Sequence, residues 1–277
     1  MGPGAKPMRQ TTLGATTMAF DVAGESGSPV LLIMGYCVPG HAWRLQAPTL
    51  SKHHRVAWFD NRGVGGSRSP KGPWSMADLA GDASSLLDHL GWDKAHVVGV
   101  SMGGMIAQHL ALADPSRLLS LTLIATHAGG LRALRPSLRG AWRLLGTAVG
   151  STGQRLRSLE RLLFPEEFLA TCDRAWLREV MVNDFGEPVP VASRRDQLAA
   201  IRGHRTAHRL AELRDLPTLL VRPGRDLLIR PKQSDRLAKL LPTAQVLRFD
   251  ASGHGIIRQC AEPLNRALLE HFAAADA

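Results

Sequence analysis

The 277-residue chain has few of the features that mark several protein classes. Its three cysteines, Cys37, Cys172 and Cys260, are odd in number and far apart, which argues against a disulfide framework and against a metal-binding motif. The first twenty residues contain no apolar run typical of a signal peptide, and no later stretch is long enough to span a bilayer. We therefore expect a cytoplasmic protein with no membrane partner.

Clusters of basic and aromatic residues are also missing. The formal net charge of +10 could attract nucleic acid or an acidic partner. However, most of the 34 basic residues are arginines scattered along the chain, and the chain has one tyrosine. We interpret the charge as a solvated, arginine-rich surface and expect no nucleic-acid partner.

A glycine-rich turn at residues 97–105 is the most informative stretch that is present. The apolar, β-branched run 95–100 predicts a buried strand, and residues 105–112 predict a helix. Between them, Gly99-Val100-Ser101-Met102-Gly103 follows the Gly-x-Ser-x-Gly pattern. A sharp strand-to-helix turn of this kind exposes the serine hydroxyl in front of a helix N-terminus. Ser101 is therefore the candidate nucleophile, and the alternative is a small-residue turn without chemistry.

Strands and helices alternate on both sides of this turn. Residues 1–16 are expected to be a frayed end. Strands are predicted at 17–22, 29–34, 55–59, 95–100, 121–125, 217–221 and 245–249. Helices are predicted at 41–50, 76–90, 105–112, 231–241 and 256–272. This order predicts the α/β class, with a mostly parallel sheet and helices on both of its faces.

The alternation stops between residues 128 and 205. Apolar residues there recur at helical spacing, and no convincing strand is found. We predict an α/β core formed by 1–127 and 206–277 and a helical cap formed by 128–205. Because the cap is inserted between strands whose carboxyl ends carry the site, it should lie over Ser101 and select the substrate. Trp142 and Phe185 are candidates for lining the substrate pocket.

A serine nucleophile needs a base, and the base needs an acid to orient it. His254 lies between two glycines after the last predicted strand, which makes it the candidate base. Asp226 follows the preceding strand and is the candidate acid, although it could instead form an ion pair with a loop arginine. Asp250 is the alternative acid, but it shares a short loop with His254, which is poor geometry for facing the imidazole.

The attacked carbonyl oxygen needs hydrogen-bond donors. The backbone N–H groups of Met102 and Tyr36 are the candidates for this oxyanion hole, unless residues 35–40 form an ordinary turn. Among the other histidines, only His204 and His208 have ligand spacing, and they have no nearby glutamate of the metalloprotease type. We predict a surface helix there, and neither a metal nor a cofactor.

Taken in order, these motifs resemble the α/β-hydrolase family, specifically its small, cap-bearing serine esterases and lactonases. The resemblance covers nearly all of the chain from residue 17 and includes the Asp60-Asn61-Arg62-Gly63 loop, which it implies to be structural. It implies hydrolysis through an acyl-enzyme with Ser101, His254 and Asp226. Most members carry His-Gly before the oxyanion residue, whereas this chain carries Met34-Gly35, as in a subset that resembles polyketide methyl-esterases and related hydrolases.

The resemblance does not define one substrate. Esterases, lactonases, amidases, C–C bond hydrolases, acyltransferases and cofactor-free haloperoxidases share this framework. Serine rather than aspartate at residue 101 argues against haloalkane dehalogenase and epoxide hydrolase chemistry. We predict a small-molecule ester or lactone as substrate because that bond is the least demanding. The non-enzymatic alternative is a receptor or binding module with this fold.

Overall fold

A computed structural model describes residues 8–130, 133, 135–186 and 188–277. Eight strands form one sheet in the order β1-β2-β4-β3-β5-β6-β7-β8. The strands are β1 (Arg9–Leu13), β2 (Thr16–Ala23), β3 (Pro29–Ile33), β4 (Arg55–Phe59), β5 (Ala95–Val100), β6 (Leu118–Ile124), β7 (Thr218–Pro223) and β8 (Gln245–Phe249). Strands β3 to β8 are mutually parallel, so their carboxyl ends meet at one edge of the sheet.

Helices flank this sheet on both faces. They are α1 (Ala47–Leu50), α2 (Met76–His89), α3 (Met102–Ala113), α4 (Leu138–Gly146), α5 (Thr152–Leu163), α6 (Glu166–Thr171), α7 (Arg174–Phe185), α8 (Val191–Gly203), α9 (Lys232–Leu240), α10 (Ile256–Gln259) and α11 (Ala261–Asp276). Alternate residues of β3 pack against the helices on opposite faces of the sheet. Leu31 and Ile33 pack with α2 and α3, whereas Val30 and Leu32 pack with α1 and α11. The predicted α/β class is therefore confirmed.

The first strand corrects one prediction. Residues 9–13 were expected to be frayed, but they form β1, which pairs antiparallel with β2. The side chains of β1 are polar and mostly exposed, so no apolar pattern indicates a strand in the sequence. Its backbone hydrogen bonds to β2 stabilise it instead.

The parallel strands are joined to the last helix by a polar cluster at their amino ends. Ser28 Oγ lies 3.0 Å from His54 Nδ1 and 2.7 Å from Asp276 Oδ2, and His96 Nε2 lies 3.1 Å from Asp276 Oδ1. His96 Nδ1 is 2.9 Å from Ser120 Oγ. Burial lowers the pKa of His96 to about 4, so its imidazole is neutral. The cluster fixes α11 to the sheet on the side opposite Ser101.

Helices α4 to α8 lie between β6 and β7. They have a small apolar centre of their own, formed by Leu163, Phe164, Leu177 and Met181. Among the described residues of 128–205, the only β pairing is an isolated bridge between Gly129 and Arg205. In the part of the chain that the structure describes, every helix is too short or too polar to cross a bilayer.

We call the segment that contains helices α4 to α8 the cap, and a buried ion cluster attaches it to the rest of the chain. The carboxylate of Asp184, at the end of α7, is fully buried and pairs with the guanidinium groups of both Arg44 and Arg258. Arg258 lies on α10, four residues after His254. His41 Nε2 also lies 2.9 Å from the carbonyl oxygen of Asn183, beside Asp184. These contacts join the end of α7 to the same edge of the sheet that carries Ser101.

Candidate active site

Ser101 lies in the sharp turn between β5 and α3. Its φ of 56° is in the left-handed region, which a residue other than glycine rarely adopts. A Cβ at Gly103 would collide with the carbonyl oxygen of Ile33, and one at Gly99 would collide with that of Gly103. The two glycines of the motif are therefore required for packing, and the strained turn presents the Ser101 side chain at the carboxyl edge of the sheet.

The structure brings Ser101, His254 and Asp226 together. Ser101 Oγ lies 3.0 Å from His254 Nε2, and His254 Nδ1 lies 2.6 Å from Asp226 Oδ2. The second carboxylate oxygen of Asp226 accepts hydrogen bonds from the N–H groups of Leu228 and Ile229, each at 2.8 Å. The side chain of Asp226 is fully buried. The carboxylate is therefore held in one orientation and accepts the Nδ1 proton, which leaves the Nε2 lone pair facing Ser101.

The alternative acid lies elsewhere. The side chain of Asp250 is 81% exposed and its carboxylate is 3.6 Å from the guanidinium of Arg222. Arg225, the arginine adjacent to Asp226, pairs with Glu167 of the cap. Arg222 and Arg225 thus have carboxylate partners other than Asp226.

The loop after β3 approaches Ser101 closely. A Cβ added to Gly35 would lie 3.2 Å from the Cβ of Ser101, so glycine lets the loop pass beside the nucleophile. Tyr36 comes next, and Met102 is the first residue of α3. Within the described residues, neither the N–H of Tyr36 nor that of Met102 has a hydrogen-bond acceptor in the protein. Both donors are thus available to an oxyanion beside Ser101.

A cap residue that the sequence did not suggest holds this loop in place. Gln197 Oε1 accepts a 2.9 Å hydrogen bond from the N–H of Cys37, and Gln197 Nε2 donates to the carbonyl oxygen of Arg62 at 3.0 Å. The Tyr36 hydroxyl donates to the carbonyl oxygen of Arg194, also on α8, at 3.1 Å. Gln197 lies 160 residues from Cys37 along the chain, so no local pattern could have identified it.

The loop that begins at Asp60 holds the loop that carries Tyr36 in place. The carboxylate of Asp60 accepts hydrogen bonds from the N–H groups of Gly40 and Gly66, at 2.7 and 2.8 Å. Asn61 Nδ2 donates to the carbonyl oxygen of Met34 at 2.8 Å. These bonds fix both ends of the loop that carries Tyr36, in keeping with a structural role for Asp60.

The two predicted pocket residues occupy different environments. Trp142 on α4 is 74% exposed, so the structure does not bring it to Ser101. This exposure contradicts its predicted role in lining the pocket. Trp142 points to solvent because the side of α4 that packs against the core carries the small residue Gly140. Phe185, at the end of α7, is partly buried and packs against both the cap centre and the core layer next to α11.

Two clefts border the site. One, of about 710 Å³, lies between the loop at 63–74 and the cap segment 183–196, and it reaches Cys37 beside the oxyanion loop. The other, of about 550 Å³, lies behind Asp226 and has a rim of arginines contributed by the cap and by the Asp226 loop. Neither Trp142 nor Phe185 lines these two clefts.

The structure places His204 and His208 differently from the prediction. His204 and His208 were expected on one surface helix, but α8 ends at Gly203 and His204 is buried. His204 Nε2 lies 2.9 Å from the carbonyl oxygen of His127. Burial lowers the pKa of His204 to about 3 and that of His127 to about 4. These imidazoles are neutral groups at the junction of cap and core.

Comparisons with known proteins bear on the fold and the family. Residues 28–257 match the model of the alpha/beta hydrolase fold family. The chain is 31% identical over 259 residues to RutD of Azorhizobium caulinodans, which is named as a carbamate hydrolase, with 92% of this chain and 95% of that protein covered. It is 30% identical over 305 residues to the rhodomycin D methylesterase DauP of a Streptomyces species, covering 97% and 99% of the two chains.

A solved structure gives the same architecture. The enol-lactonase of Burkholderia xenovorans superposes with a TM-score of 0.82 at 22% identity, covering 96% of this chain and 100% of that one. At this level of identity, the likeness supports the fold alone.

Proposed function

Since the chain belongs to the alpha/beta hydrolase fold family and is a hydrolase, we propose that it cleaves a carboxylic ester or lactone through an acyl-enzyme formed on Ser101. The observation that supports this proposal most strongly is the hydrogen-bond chain from Asp226 through His254 to Ser101 Oγ, with distances of 2.6 and 3.0 Å. A serine oxygen in line with an imidazole and a buried carboxylate has the geometry of nucleophilic acyl transfer.

The acylation half-reaction follows from this geometry. Ser101 Oγ attacks the carbonyl carbon of the substrate while His254 Nε2 takes the hydroxyl proton. The carbonyl oxygen becomes negative and accepts hydrogen bonds from the N–H groups of Tyr36 and Met102. The tetrahedral intermediate then collapses, and the alcohol oxygen leaves with the proton from Nε2. Asp226 stabilises the imidazolium through Nδ1 and stays ionised throughout.

Deacylation uses the same residues in reverse order. A water molecule gives one proton to His254 Nε2 while its oxygen attacks the acyl carbon on Ser101. Collapse of the second intermediate breaks the bond to Ser101 Oγ, which regains the proton from His254. The products are a carboxylic acid and a free enzyme. For a lactone, the acid and the alcohol leave as one hydroxy acid.

The relatives support a carbonyl substrate without defining one. A carbamate and a methyl ester both contain an acyl carbon bonded to a heteroatom, and the two relatives named for these substrates are at least 30% identical to this chain. An ester is our choice because its alcohol leaves more readily than an amine or a carbanion.

Turnover of short p-nitrophenyl esters tests the proposal. Ser101→Ala should lower kcat by a factor on the order of 10⁶, because the members of a triad act as a unit. A fluorophosphonate should label Ser101, as located by mass spectrometry. Ser116→Ala, at an exposed serine far from the site, is the matched control and should leave the rate unchanged.

A panel of esters, lactones, anilides and vinylogous C–C substrates then separates the alternatives. Faster hydrolysis of an anilide or a C–C substrate than of every ester would replace the ester proposal with amidase or C–C hydrolase activity. Saturable binding of esters without any turnover would instead support a receptor or binding module.

A further inference from the structure

The cap has an unusual concentration of exposed apolar side chains. Of the nine large apolar side chains that are clearly exposed in the described part of the chain, five lie between residues 138 and 149. Four of them form what we call the α4 stripe: Leu138 at 93% exposure, Trp142 at 74%, Leu145 at 58% and Val149 at 61%. Single exposed apolar residues are common, but a contiguous group of this kind marks a contact surface.

The stripe occupies the outward side of α4. Leu138, Trp142 and Leu145 are spaced by four and three residues, so they share one face of the helix, and Val149 lies in the loop three residues after the end of α4. Gly140 lies on the opposite side, where an added Cβ would collide with the carbonyl oxygen of Leu227. Because α4 presses its glycine side against the core, rotating the helix to bury the stripe would require the cap to leave the Asp226 loop.

The charge around the stripe is strongly positive. Between residues 135 and 161 the sequence contains six arginines and a single acidic residue, Glu160. Glu160 already pairs with Arg174 of α7. Arg139 pairs with Glu166 at the start of α6, and Arg143 lies 3.8 Å from the same carboxylate. The arginines of this segment are Arg135, Arg139, Arg143, Arg155, Arg157 and Arg161. All except Arg143 are exposed. The α4–α5 region therefore combines an apolar stripe with a basic surround.

We propose that this α4–α5 face is a docking surface for a lipid bilayer that carries anionic headgroups. The stripe would enter the boundary between headgroups and acyl chains, and the arginines would pair with lipid phosphates. A second copy of the chain is the competing occupant. A symmetric dimer through this face would bring the same six arginines together from both sides, so like charges would oppose it.

This contact needs no membrane-spanning segment. The sequence predicted no membrane partner because it lacks a long apolar run, whereas a helix lying in the interface needs only one apolar face and a basic flank. Trp142 suits the position because tryptophan places an apolar ring in the boundary layer while its N–H reaches polar groups. The proposal concerns a binding surface and does not depend on the reaction at Ser101.

Tryptophan fluorescence of the whole chain with unilamellar vesicles tests it. All six tryptophans lie in described residues, and Trp142 is the only exposed one. Vesicles of phosphatidylglycerol mixed with phosphatidylcholine should shift the emission to shorter wavelength, and brominated acyl chains should quench it. Pure phosphatidylcholine vesicles should have little effect. In Trp142→Phe the spectral change should disappear, while co-sedimentation with the anionic vesicles should persist.

Paired variants separate the apolar and the basic contributions. Leu138→Ser/Trp142→Ser should weaken co-sedimentation with anionic vesicles by about tenfold or more. Val191→Ser, which removes a side chain of 71% exposure on α8, is the apolar control and should bind normally. Arg155→Gln/Arg157→Gln should weaken binding and reduce its salt sensitivity. Arg248→Gln, at an exposed arginine on β8, is the charge control. Circular dichroism should show that each variant is folded.

Several results would overturn the proposal. Equal binding to anionic and neutral vesicles would remove the role of the arginines. If Val191→Ser lost as much vesicle binding as Leu138→Ser/Trp142→Ser, the stripe would have no specific role. A dimer in sedimentation velocity that dissociates in Leu138→Ser/Trp142→Ser, without vesicle binding, would assign the face to a second copy of the chain. Loss of esterase activity has no bearing on any of these readouts.

Discussion

Replacing Asp226 with asparagine tests the assignment of the acid most directly. Asp226 Oδ1 accepts two backbone hydrogen bonds, from Leu228 and Ile229, and Oδ2 accepts the proton of His254 Nδ1. The asparagine amide can keep the two backbone bonds only if its oxygen takes the place of Oδ1. Its NH₂ group then faces Nδ1 and donates to it. The imidazole must therefore carry its proton on Nε2, where it cannot accept the proton of Ser101.

The opposite orientation of the asparagine amide is unfavourable. It would place the NH₂ group against the N–H groups of Leu228 and Ile229 and lose two hydrogen bonds, each worth about 1 kcal/mol, with further cost because the site is buried. The wrong tautomer should thus dominate. We expect kcat to fall by about 10⁴-fold, which corresponds to about 5 kcal/mol of transition-state stabilisation.

Asp250→Asn is the matched control. Its side chain is 81% exposed and lies 3.6 Å from Arg222, so its loss should change kcat by less than about twofold. Both variants can be assayed with p-nitrophenyl acetate at pH 7, and circular dichroism can establish that both are folded. A larger loss in Asp250→Asn than in Asp226→Asn would refute the reasoning and make Asp250 the acid.

Three further outcomes follow from the contacts around the site. Gly35→Ala places a Cβ 3.2 Å from that of Ser101, so kcat should fall by roughly tenfold or more with little change in the urea midpoint; an unchanged kcat would mean that the loop yields freely. Asp184→Ala leaves Arg258 buried without its carboxylate and should cost about 3 kcal/mol of unfolding free energy, whereas Asp215→Ala, at an exposed pair, should cost little. Acid should destabilise the fold: burial holds the pKa of His96 and His127 at about 4 and that of His204 at about 3, so the unfolded chain takes up protons first as the pH falls below about 6.5. Unfolding free energy should drop by up to about 2 kcal/mol per imidazole between pH 7 and 5 and more slowly in His127→Gln, and a flat profile would contradict the assigned burial.

The arrangement of Ser101, Asp226 and His254 could be predicted from the sequence because it depends on local patterns. The turn at Ser101 needs glycines at two defined positions, and the collisions that a Cβ would meet at Gly99 and Gly103 explain why. Asp226 and His254 follow buried strands, and the carboxyl ends of parallel strands meet at one edge. Their order along the chain was therefore enough to suggest that the two side chains approach Ser101.

The environment of the site could not be predicted in this way. Trp142 was expected to line the pocket because the apolar faces of the cap helices were expected to be buried above Ser101, but α4 packs through Gly140 and turns the Trp142 ring towards solvent. Helical spacing shows that a helix has an apolar face and does not show which side meets the core. The strand β1 was missed for a related reason, since its polar side chains carry no apolar signal.

By itself the sequence determined the α/β class, the nucleophile turn and the order of Ser101, Asp226 and His254, because strand and helix periodicities and glycine sterics act over a few residues. The tertiary structure alone decided that Gln197 holds the oxyanion loop and that Asp184 joins Arg44 to Arg258. Each of these contacts joins residues far apart along the chain, and their distances depend on how the cap and loops pack, which no local pattern encodes.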